Sequence, residues 1–194
     1  MMYFQYETPR LLLKVLHTDA TEKVLEFYEE NKAQFEPYEL TRPKNFYTLK
    51  YQNASLAYEY DQILKQKGLR LWIFPKEDPE QIIGCISFSN IAKGPFQSAI
   101  FGYKMHHSYQ RQGYCYEACK KALSIIFNDY HLHRIEAKIL PENVPSIKLI
   151  EKLGFQFEGI EYECAQVNHV FRDHYRFSLL QPNFSEKNYD NPLY

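Results

Sequence analysis

Apolar and polar residues repeat with two different periods along this chain, and each period predicts one kind of element. Short apolar runs bounded by Pro, Gly or Asp predict β-strands, and three of them follow one another across tight turns between residues 69 and 105, which predicts an antiparallel meander. Residues 134–140 alternate between apolar and charged side chains, which is typical of a strand with one buried face. The runs that predict strands are residues 10–16, 69–74, 81–91, 98–105, 134–140, 155–164 and 167–180.

A period of three to four residues predicts the helices. Over residues 113–128 the apolar positions recur at steps of three and four, so this segment is predicted to form an amphipathic helix. Residues 143–153 predict another helix, with Asn143 as its N-cap. Two further helices are expected within residues 19–66, separated by an aromatic loop at residues 35–43 that contains two prolines. Together the elements predict an α/β (α+β) fold with a mixed, mostly antiparallel sheet of six or seven strands and flanking helices.

Length, composition and charge narrow the class of protein. The chain has 194 residues, 45% of them hydrophobic, and no internal repeat, which favours one domain over residues 1–181 with a polar tail at residues 182–194. The formal net charge of −1 gives no electrostatic reason to expect a nucleic-acid or membrane-surface partner. Neither a long apolar run nor a signal peptide is visible, and the four cysteines form no CxxC pair. We therefore expect a cytoplasmic protein with reduced thiols and no metal site.

One segment carries recognisable chemistry, the loop at residues 110–115 between a predicted strand and the amphipathic helix. A glycine lets the backbone approach a ligand closely, and the N–H groups at a helix start form an anion site with the positive end of the helix dipole. Gln110 and Arg111 add side-chain donors, so a diphosphate is a natural occupant. The alternative is that Gly113 only shapes a tight turn. The loop has one glycine and no Gly-Lys-Ser/Thr ending, which excludes a dinucleotide fingerprint and a Walker loop.

The loop resembles the Arg/Gln-x-x-Gly-x-Gly/Ala loop with which the GNAT N-acetyltransferases hold the pyrophosphate of acetyl-CoA, with Cys115 in place of the final small residue. Further short matches to the RimJ/RimL branch of that family occur in the correct order over most of the chain. They are Glu7-Thr8-Pro9-Arg10-Leu11-Leu12-Leu13, Ile83-Gly84-Cys85-Ile86, Gly102-Tyr103-Lys104-Met105, Tyr114 with Glu117 and Ala118, His133-Arg134-Ile135-Glu136-Ala137, Pro141-Glu142-Asn143-Val144-Pro145-Ser146, Glu151-Lys152-Leu153-Gly154-Phe155, Glu158-Gly159 and Arg172-Asp173-His174.

The resemblance implies a GNAT fold in which acetyl-CoA lies in a V-shaped gap between two parting parallel strands, here those ending at Met105 and Leu140. Acceptor-side helices would span about residues 19–67, and the acetyl-CoA-binding core about residues 69–165. The implied reaction is direct attack of a primary amine on the thioester in a ternary complex, with acetyl-CoA as co-substrate and without a metal. The residues expected to bind acetyl-CoA are Met105, His107, Gln110, Arg111, Gln112, Gly113, Tyr114, Cys115 and Asn143.

Two polar residues at the start of the helix over residues 143–153 match the Asn-x-x-Ser helix start of the RimL-like enzymes. In those enzymes the serine is proposed to give a proton to the leaving thiolate, a role that falls to Ser146 here. Asn143 would orient acetyl-CoA. The alternative role of both residues is helix capping, for which their side chains are well suited.

The resemblance is incomplete at the group that takes the proton of the amine. The RimL-like pattern has a glutamate between the last two strands, but spacing without gaps from Glu158 places Ala165 there. Glu163 lies two residues earlier, on the same strand face by the period of two, so the hypothesis is that Glu163 acts as the base. Glu161 and a water molecule are the alternatives, and both glutamates could instead be solvated strand charges.

The acceptor pocket is expected to come from residues 35–39 and the helix after them, with Glu36, Tyr38 and Glu39 placed to receive a cationic amine. The substrate is then a protein N-terminus or a small-molecule amine such as a polyamine or an antibiotic. A non-catalytic acyl-CoA-binding module is the alternative from another class of protein, and Ala165 in place of glutamate supports it. The sequence leaves open whether the protein is a monomer or a homodimer.

Overall fold

An eight-stranded sheet lies at the centre of the molecule, with helices on both of its faces. The computed structural model describes residues 4–181, so the predicted tail at residues 182–194 lies outside the described residues. The strands are β1 (Gln5–Glu7), β2 (Leu11–Lys14), β3 (Leu69–Pro75), β4 (Gly84–Ala92), β5 (Ser98–Met105), β6 (Arg134–Ile139), β7 (Gln156–Val167) and β8 (Val170–Leu180). Their order in the sheet is β1-β2-β3-β4-β5-β6-β8-β7.

The predicted sheet is confirmed in type, and its strand count is corrected from six or seven to eight. Every neighbouring pair is antiparallel except β5 and β6, which run parallel. The added strand is β1, whose three residues are too few to show an alternating pattern in the sequence. It pairs with β2 along Gln5–Glu7, and this pairing extends the edge of the predicted meander by one strand.

The helices are α1 (Thr21–Glu30), α2 (Lys32–Phe35), α3 (Leu49–Leu64), α4 (Tyr114–Asn128) and α5 (Val144–Lys152). The apolar faces of α4 and α5 pack on one face of the sheet, while α1 and α3 cover Trp72 and Phe74 on the other. Fully burying side chains as large as Trp72 and Phe27 contributes about 2–3 kcal/mol each. The predicted loop at residues 35–43 is partly helical, because α2 runs into a 3-10 turn at Glu36–Tyr38 that tolerates Pro37 in its first turn.

The parallel pair β5–β6 is short, and its shortness creates a gap in the sheet. Only Ser98–Ile100 pair with Arg134–Glu136, and beyond these residues the two strands diverge. The hairpin of β7 and β8 closes the sheet on the far side of β6, with a turn at Asn168 and His169, both at positive φ, as two-residue hairpin turns require. The turn lies three residues later than the sequence predicts, because β7 contains a bulge between Glu161 and Ala165.

Candidate active site

Two cavities, of about 700 and 680 Å³, flank the point where β5 and β6 part. The first lies between α3 and the polar face of β6, β7 and β8, and we call it the acceptor-side cavity. The second lies between β5, the start of α4 and the start of α5, and we call it the donor-side cavity. Since both cavities share lining residues, ligands bound in them would meet at the gap. The shared residues are Tyr38, Glu39, Tyr103, Lys104, Asn143 and Ser146.

The donor-side cavity contains the loop that the sequence singles out. Gly113 is the N-cap of α4 at φ 83°, and Arg111 before it also has a positive φ, so the chain turns sharply into the helix. A Cβ on Gly113 would lie 3.3 Å from Arg10 Nη2, which leaves little room for a side chain. Gln110, Arg111 and Cys115 line the cavity beside this turn. A cationic side chain, an amide and the positive end of a 15-residue helix fit a diphosphate.

A group of hydrogen bonds that the sequence does not predict holds this loop in place. Glu117, in the first turn of α4, accepts hydrogen bonds from the Thr8 hydroxyl at 2.6 Å, from the Arg10 backbone N–H at 3.0 Å and from Arg10 Nε at 2.7 Å. Burial would raise the pKa of Glu117, but these hydrogen bonds outweigh it and lower the pKa. Arg10 Nη1 also donates to the Gln112 carbonyl at 3.0 Å, and the guanidinium lies 4.3 Å from the centre of the Tyr114 ring.

Three polar groups meet where the cavities join. Ser146 Oγ lies 2.7 Å from Tyr103 Oη, and the Ser146 backbone N–H donates to Asn143 Oδ1 at 3.3 Å. Asn143 is thus a helix cap, as predicted, and it also lines both cavities. Burial raises the pKa of Tyr103 well above its usual range, so the phenol stays protonated and can donate a hydrogen bond to Ser146 Oγ. A hydroxyl held in this way at the mouth of the gap can stabilise a developing anion by donating its own hydrogen bond.

The acceptor-side cavity is rich in charge, and its carboxylates are paired. Glu39 forms ion pairs with Lys104, at 3.1 Å, and with Arg42. The Arg42 guanidinium donates to Glu39 from Nε at 3.0 Å and lies 4.1 Å from the centre of the Phe46 ring, in a site where only 9% of its side chain is exposed. Glu59 pairs with Arg70 at 2.9 Å. Lys138 is the fourth cationic side chain in the lining, so four cations and two carboxylates line the cavity.

The predicted site residues divide into those that line a cavity and those that do not. Tyr38, Glu39, Met105, Gln110, Arg111, Gly113, Cys115, Asn143 and Ser146 line one or both cavities. His107 does not, because its backbone N–H donates to Asn31 Oδ1 at 2.9 Å. Glu36 accepts a hydrogen bond from Tyr47 Oη at 3.0 Å instead of facing a ligand. The side chain of Gln112 donates to the Ser108 carbonyl, and the hydroxyl of Tyr114 donates to Glu77.

The structure places neither predicted glutamate in the lining of the acceptor-side cavity. Glu163 is exposed on the bulge at φ 43°, where its backbone N–H donates to Asp173 Oδ1 at 2.8 Å. Glu161 pairs with Lys138 at 2.6 Å and, although burial would raise its pKa, the contacts with Lys138 and Arg176 lower it. The bulge breaks the period of two on which the Glu163 hypothesis depends. Ala165 does line the cavity, as do Cys164 and His174.

Among residues 4–181, there is no group of three or more His, Cys, Asp or Glu side chains that could hold a metal ion. Over the same residues, no helix has the length and hydrophobicity needed to span a bilayer.

Comparison with known proteins agrees with the geometry of the cleft. Residues 10–156 match the model of the acetyltransferase (GNAT) domain. The probable N-acetyltransferase YjcK of Bacillus subtilis is 31% identical over 166 residues, which cover 86% of this chain and 91% of that protein. The [ribosomal protein uS5]-alanine N-acetyltransferase of Escherichia coli is 28% identical over 178 residues, covering 92% and 91% of the two chains.

Solved structures agree in fold. The ribosomal-protein-S5-alanine acetyltransferase of Vibrio fischeri superposes with a TM-score of 0.87 at 24% identity, covering 93% of this chain and 98% of that one. RimJ of Mycobacterium smegmatis, solved in complex with CoA-disulfide, gives a TM-score of 0.83 at 22% identity and covers 90% and 85% of the two chains.

Proposed function

This chain belongs to the GNAT acetyltransferase family, and from that premise we propose that it acetylates the α-amine of a peptide or protein N-terminus. The chain is an acetyl-CoA-dependent N-acetyltransferase, so the open question is which amine it uses. The observation that carries the proposal is the charge of the acceptor-side cavity, where both lining carboxylates are already paired with cations.

A polyamine or an aminoglycoside carries several positive charges, and it binds best where unpaired carboxylates are available. Four cations and two carboxylates line the acceptor-side cavity, and after the pairing of Lys138 with Glu161 the surplus is one positive charge, so a polycation entering it would meet no unpaired carboxylate among the described lining residues. A peptide brings a single ammonium group followed by backbone carbonyls, which the lysine and arginine side chains can bind. One relative, in Escherichia coli, is named for acetylating an alanine of ribosomal protein uS5, which is consistent with a polypeptide acceptor.

The chemistry that the site would supply follows from its two cavities. We place the diphosphate of acetyl-CoA at Gly113, Gln110 and Arg111, and the thioester near Ser146 at the gap. The unpaired edge of β5 beyond Ile100 offers backbone groups to the amides of the pantetheine arm. Holding the amine and the thioester together at the gap lowers the barrier, and in favourable cases such positioning contributes about 7–11 kcal/mol.

The proposal is tested with a panel of amines and detection of released CoA thiol, confirmed by mass of the product. Peptides with N-terminal alanine are compared with spermidine and kanamycin, and within the peptides acidic residues at positions two to four are compared with lysines. We expect kcat/KM to be at least tenfold higher for peptides than for the polycations, and higher for acidic than for basic peptides.

A charge variant checks the reason for this preference. Lys138→Gln is expected to reduce the advantage of acidic peptides several-fold, while Lys120→Gln, on the exposed face of α4, leaves it unchanged. Preference for spermidine or kanamycin would refute the proposed acceptor. Tight CoA binding without acetylation of any amine would instead favour the non-catalytic acyl-CoA-binding alternative.

A further inference from the structure

His174 is a buried histidine in the wall of the acceptor-side cavity to which the sequence assigns no role. It lies on β8 opposite Glu161 of β7 and is only 6% exposed. It lines the cavity together with Ala165, which holds the position where the RimL-like pattern has a glutamate. An imidazole therefore lies in the wall of the same cavity as the position of the missing carboxylate.

The hydrogen bonds of His174 determine which ring nitrogen is free. Nδ1 lies 3.1 Å from the Arg172 carbonyl oxygen and 3.3 Å from Cys164 Sγ. Because a carbonyl oxygen can only accept, Nδ1 carries the proton and donates it to Arg172. In that tautomer Nε2 has a free lone pair. Among residues 4–181 Nε2 makes no hydrogen bond, and His174 lines the acceptor-side cavity.

The other groups that line this cavity are poorly suited to accept a proton. Glu39 and Glu59 are held in ion pairs with lysine and arginine side chains. Burial raises the pKa of Tyr103, which keeps that phenol protonated, and burial also raises the pKa of the Cys164 thiol. Histidine is the side chain that gains and loses protons near neutral pH.

We propose that His174 is the general base of the reaction, with Nε2 taking the proton from the acceptor amine. This inference rests on the proposed function, because it needs an amine in the acceptor-side cavity. Arg172, through its carbonyl, fixes the tautomer that leaves Nε2 unprotonated. The role resembles that of the hydrogen-bonded partner that orients a catalytic histidine in other enzymes.

Charged and titratable groups face His174 from each neighbouring element, and they are paired with one another. On β7, Glu161 forms ion pairs with Lys138 of β6 and with Arg176 of β8. Arg172 pairs with Glu142, just before α5, at 2.7 Å. Cys164 is the one titratable side chain in hydrogen-bond contact with the ring among the described residues.

The proton transfers balance over the whole reaction. The amine enters as an ammonium ion, and Nε2 of His174 removes one proton. The neutral nitrogen then forms the C–N bond with the thioester carbon, and the C–S bond breaks with its electron pair on sulfur. Ser146, hydrogen-bonded to Tyr103, gives its proton to the sulfur and recovers one from the nitrogen through water. His174 releases its proton to solvent, so the products are the acetamide, CoA thiol and one proton.

The test uses His174→Asn, because an asparagine amide can still donate to the Arg172 carbonyl while the atom equivalent to Nε2 is removed. His131→Asn, in an exposed loop, is the matched control. Two peptides are compared that differ only at the first residue, alanine or 3,3,3-trifluoroalanine, whose weakly basic amine is already neutral at the assay pH. The affinity for CoA is measured by calorimetry, and folding is checked by thermal unfolding.

We expect kcat/KM of His174→Asn to fall about a hundredfold with the alanine peptide and less than tenfold with the trifluoroalanine peptide, with CoA affinity unchanged within twofold. The acid limb of the wild-type pH profile should be lost, and added imidazole should restore part of the activity of His174→Ala. His131→Asn should match the wild type.

Three results would overturn the assignment. They are a loss of kcat/KM below threefold in His174→Asn, an equal loss with the alanine and trifluoroalanine peptides, and a loss confined to the alanine peptide in Glu163→Gln instead of His174→Asn. The wild type is assayed first. If it acetylates only small amines, the proposed acceptor is wrong, and the His174 comparison is repeated with small amines of high and low basicity.

Discussion

The donor-side and acceptor-side cavities are similar in volume, but they are assembled from the sequence in opposite ways. The donor-side cavity comes mainly from two continuous stretches, residues 103–116 and the start of α5. The acceptor-side cavity draws on α3, the segment before it, the start of α5, five strands and the β7 bulge. A site built on a continuous stretch can be recognised in the sequence as a motif, whereas a site assembled from distant segments appears in the sequence only as scattered residues. Variants that affect one cavity alone therefore test whether the two work independently.

Among the variants that separate the two cavities by their KM values, the largest effect is expected at Gly113, on the donor side. Gly113→Ala places a methyl group at φ 83° and 3.3 Å from Arg10 Nη2, so the strained loop or the Arg10 side chain has to shift at the proposed diphosphate site. We expect KM for acetyl-CoA to rise about thirtyfold, with KM for the acceptor changed less than twofold, in initial-rate assays that vary each substrate.

Gly94→Ala provides the matched control, because Gly94 also has a positive φ, of 66°, but has no atom within 4 Å of a built Cβ. Both variants should lose about 1 kcal/mol of stability from backbone strain. If Gly94→Ala raised KM for acetyl-CoA by the same factor, the effect of Gly113→Ala would come from lost stability and not from lost contact with acetyl-CoA.

A smaller effect, on KM for the acceptor instead of KM for acetyl-CoA, is expected at Arg42, on the acceptor side. Arg42→Met keeps much of the packing on Phe46 but removes a cation from the cavity and one partner from Glu39. KM for an acidic peptide should rise about tenfold while KM for acetyl-CoA stays within twofold. Lys50→Met, on the exposed surface of α3, serves as control. A rise in both KM values would show that the cavities are coupled through Glu39 and Lys104.

The smallest effect concerns stability alone. Hydrogen bonds from Arg134 and Ser178 lower the pKa of Glu158 to about 2 from its usual 4.5, so its contribution to stability is complete above pH 4.5 and is lost as the pH falls toward 2. Glu158→Gln should cost about 1–2 kcal/mol at pH 7, after allowance for solvent screening, and progressively less below pH 4.5.

Urea unfolding between pH 7 and pH 3.5 measures this difference, with Glu151→Gln on the exposed face of α5 as control. Neither KM should change, because Glu158 lines neither cavity. A difference in stability that is constant with pH would mean that the glutamate acts through packing and not through its charge.

Much of the fold follows from local patterns. The amphipathic period over residues 113–128 predicts α4 to within one residue, and the alternation over residues 134–140 predicts β6. The pattern does not reveal β1, because three residues carry too little alternation, and it misplaces the last hairpin turn because a bulge leaves no mark in the hydrophobic period. The divergence of β5 and β6 beyond Ile100 depends on tertiary packing, so no local pattern predicts it, and only the family resemblance implies it.

The candidate site was predictable where its residues are neighbours in sequence. Gly113, Asn143 and Ser146 lie in short motifs and line the cavities as expected. Arg10 and Glu117 are separated by 107 positions, so no local spacing connects them. His174 lies within a short motif, but the sequence indicates no role for it, because its hydrogen bond to the Arg172 carbonyl and its place in the cavity wall with Ala165 are products of the folded hairpin.

The contact between Arg10 and Glu117 has a thermodynamic consequence for the whole chain. It connects the residues before β2 to the first turn of α4, so the donor loop reaches its binding geometry only when the first strands are in place. By linkage, acetyl-CoA that binds this geometry also stabilises the distant edge of the sheet. Affinity for the donor is therefore a measure of how completely the domain is folded, and damage near Arg10 would be detected first as weaker binding and only later as unfolding.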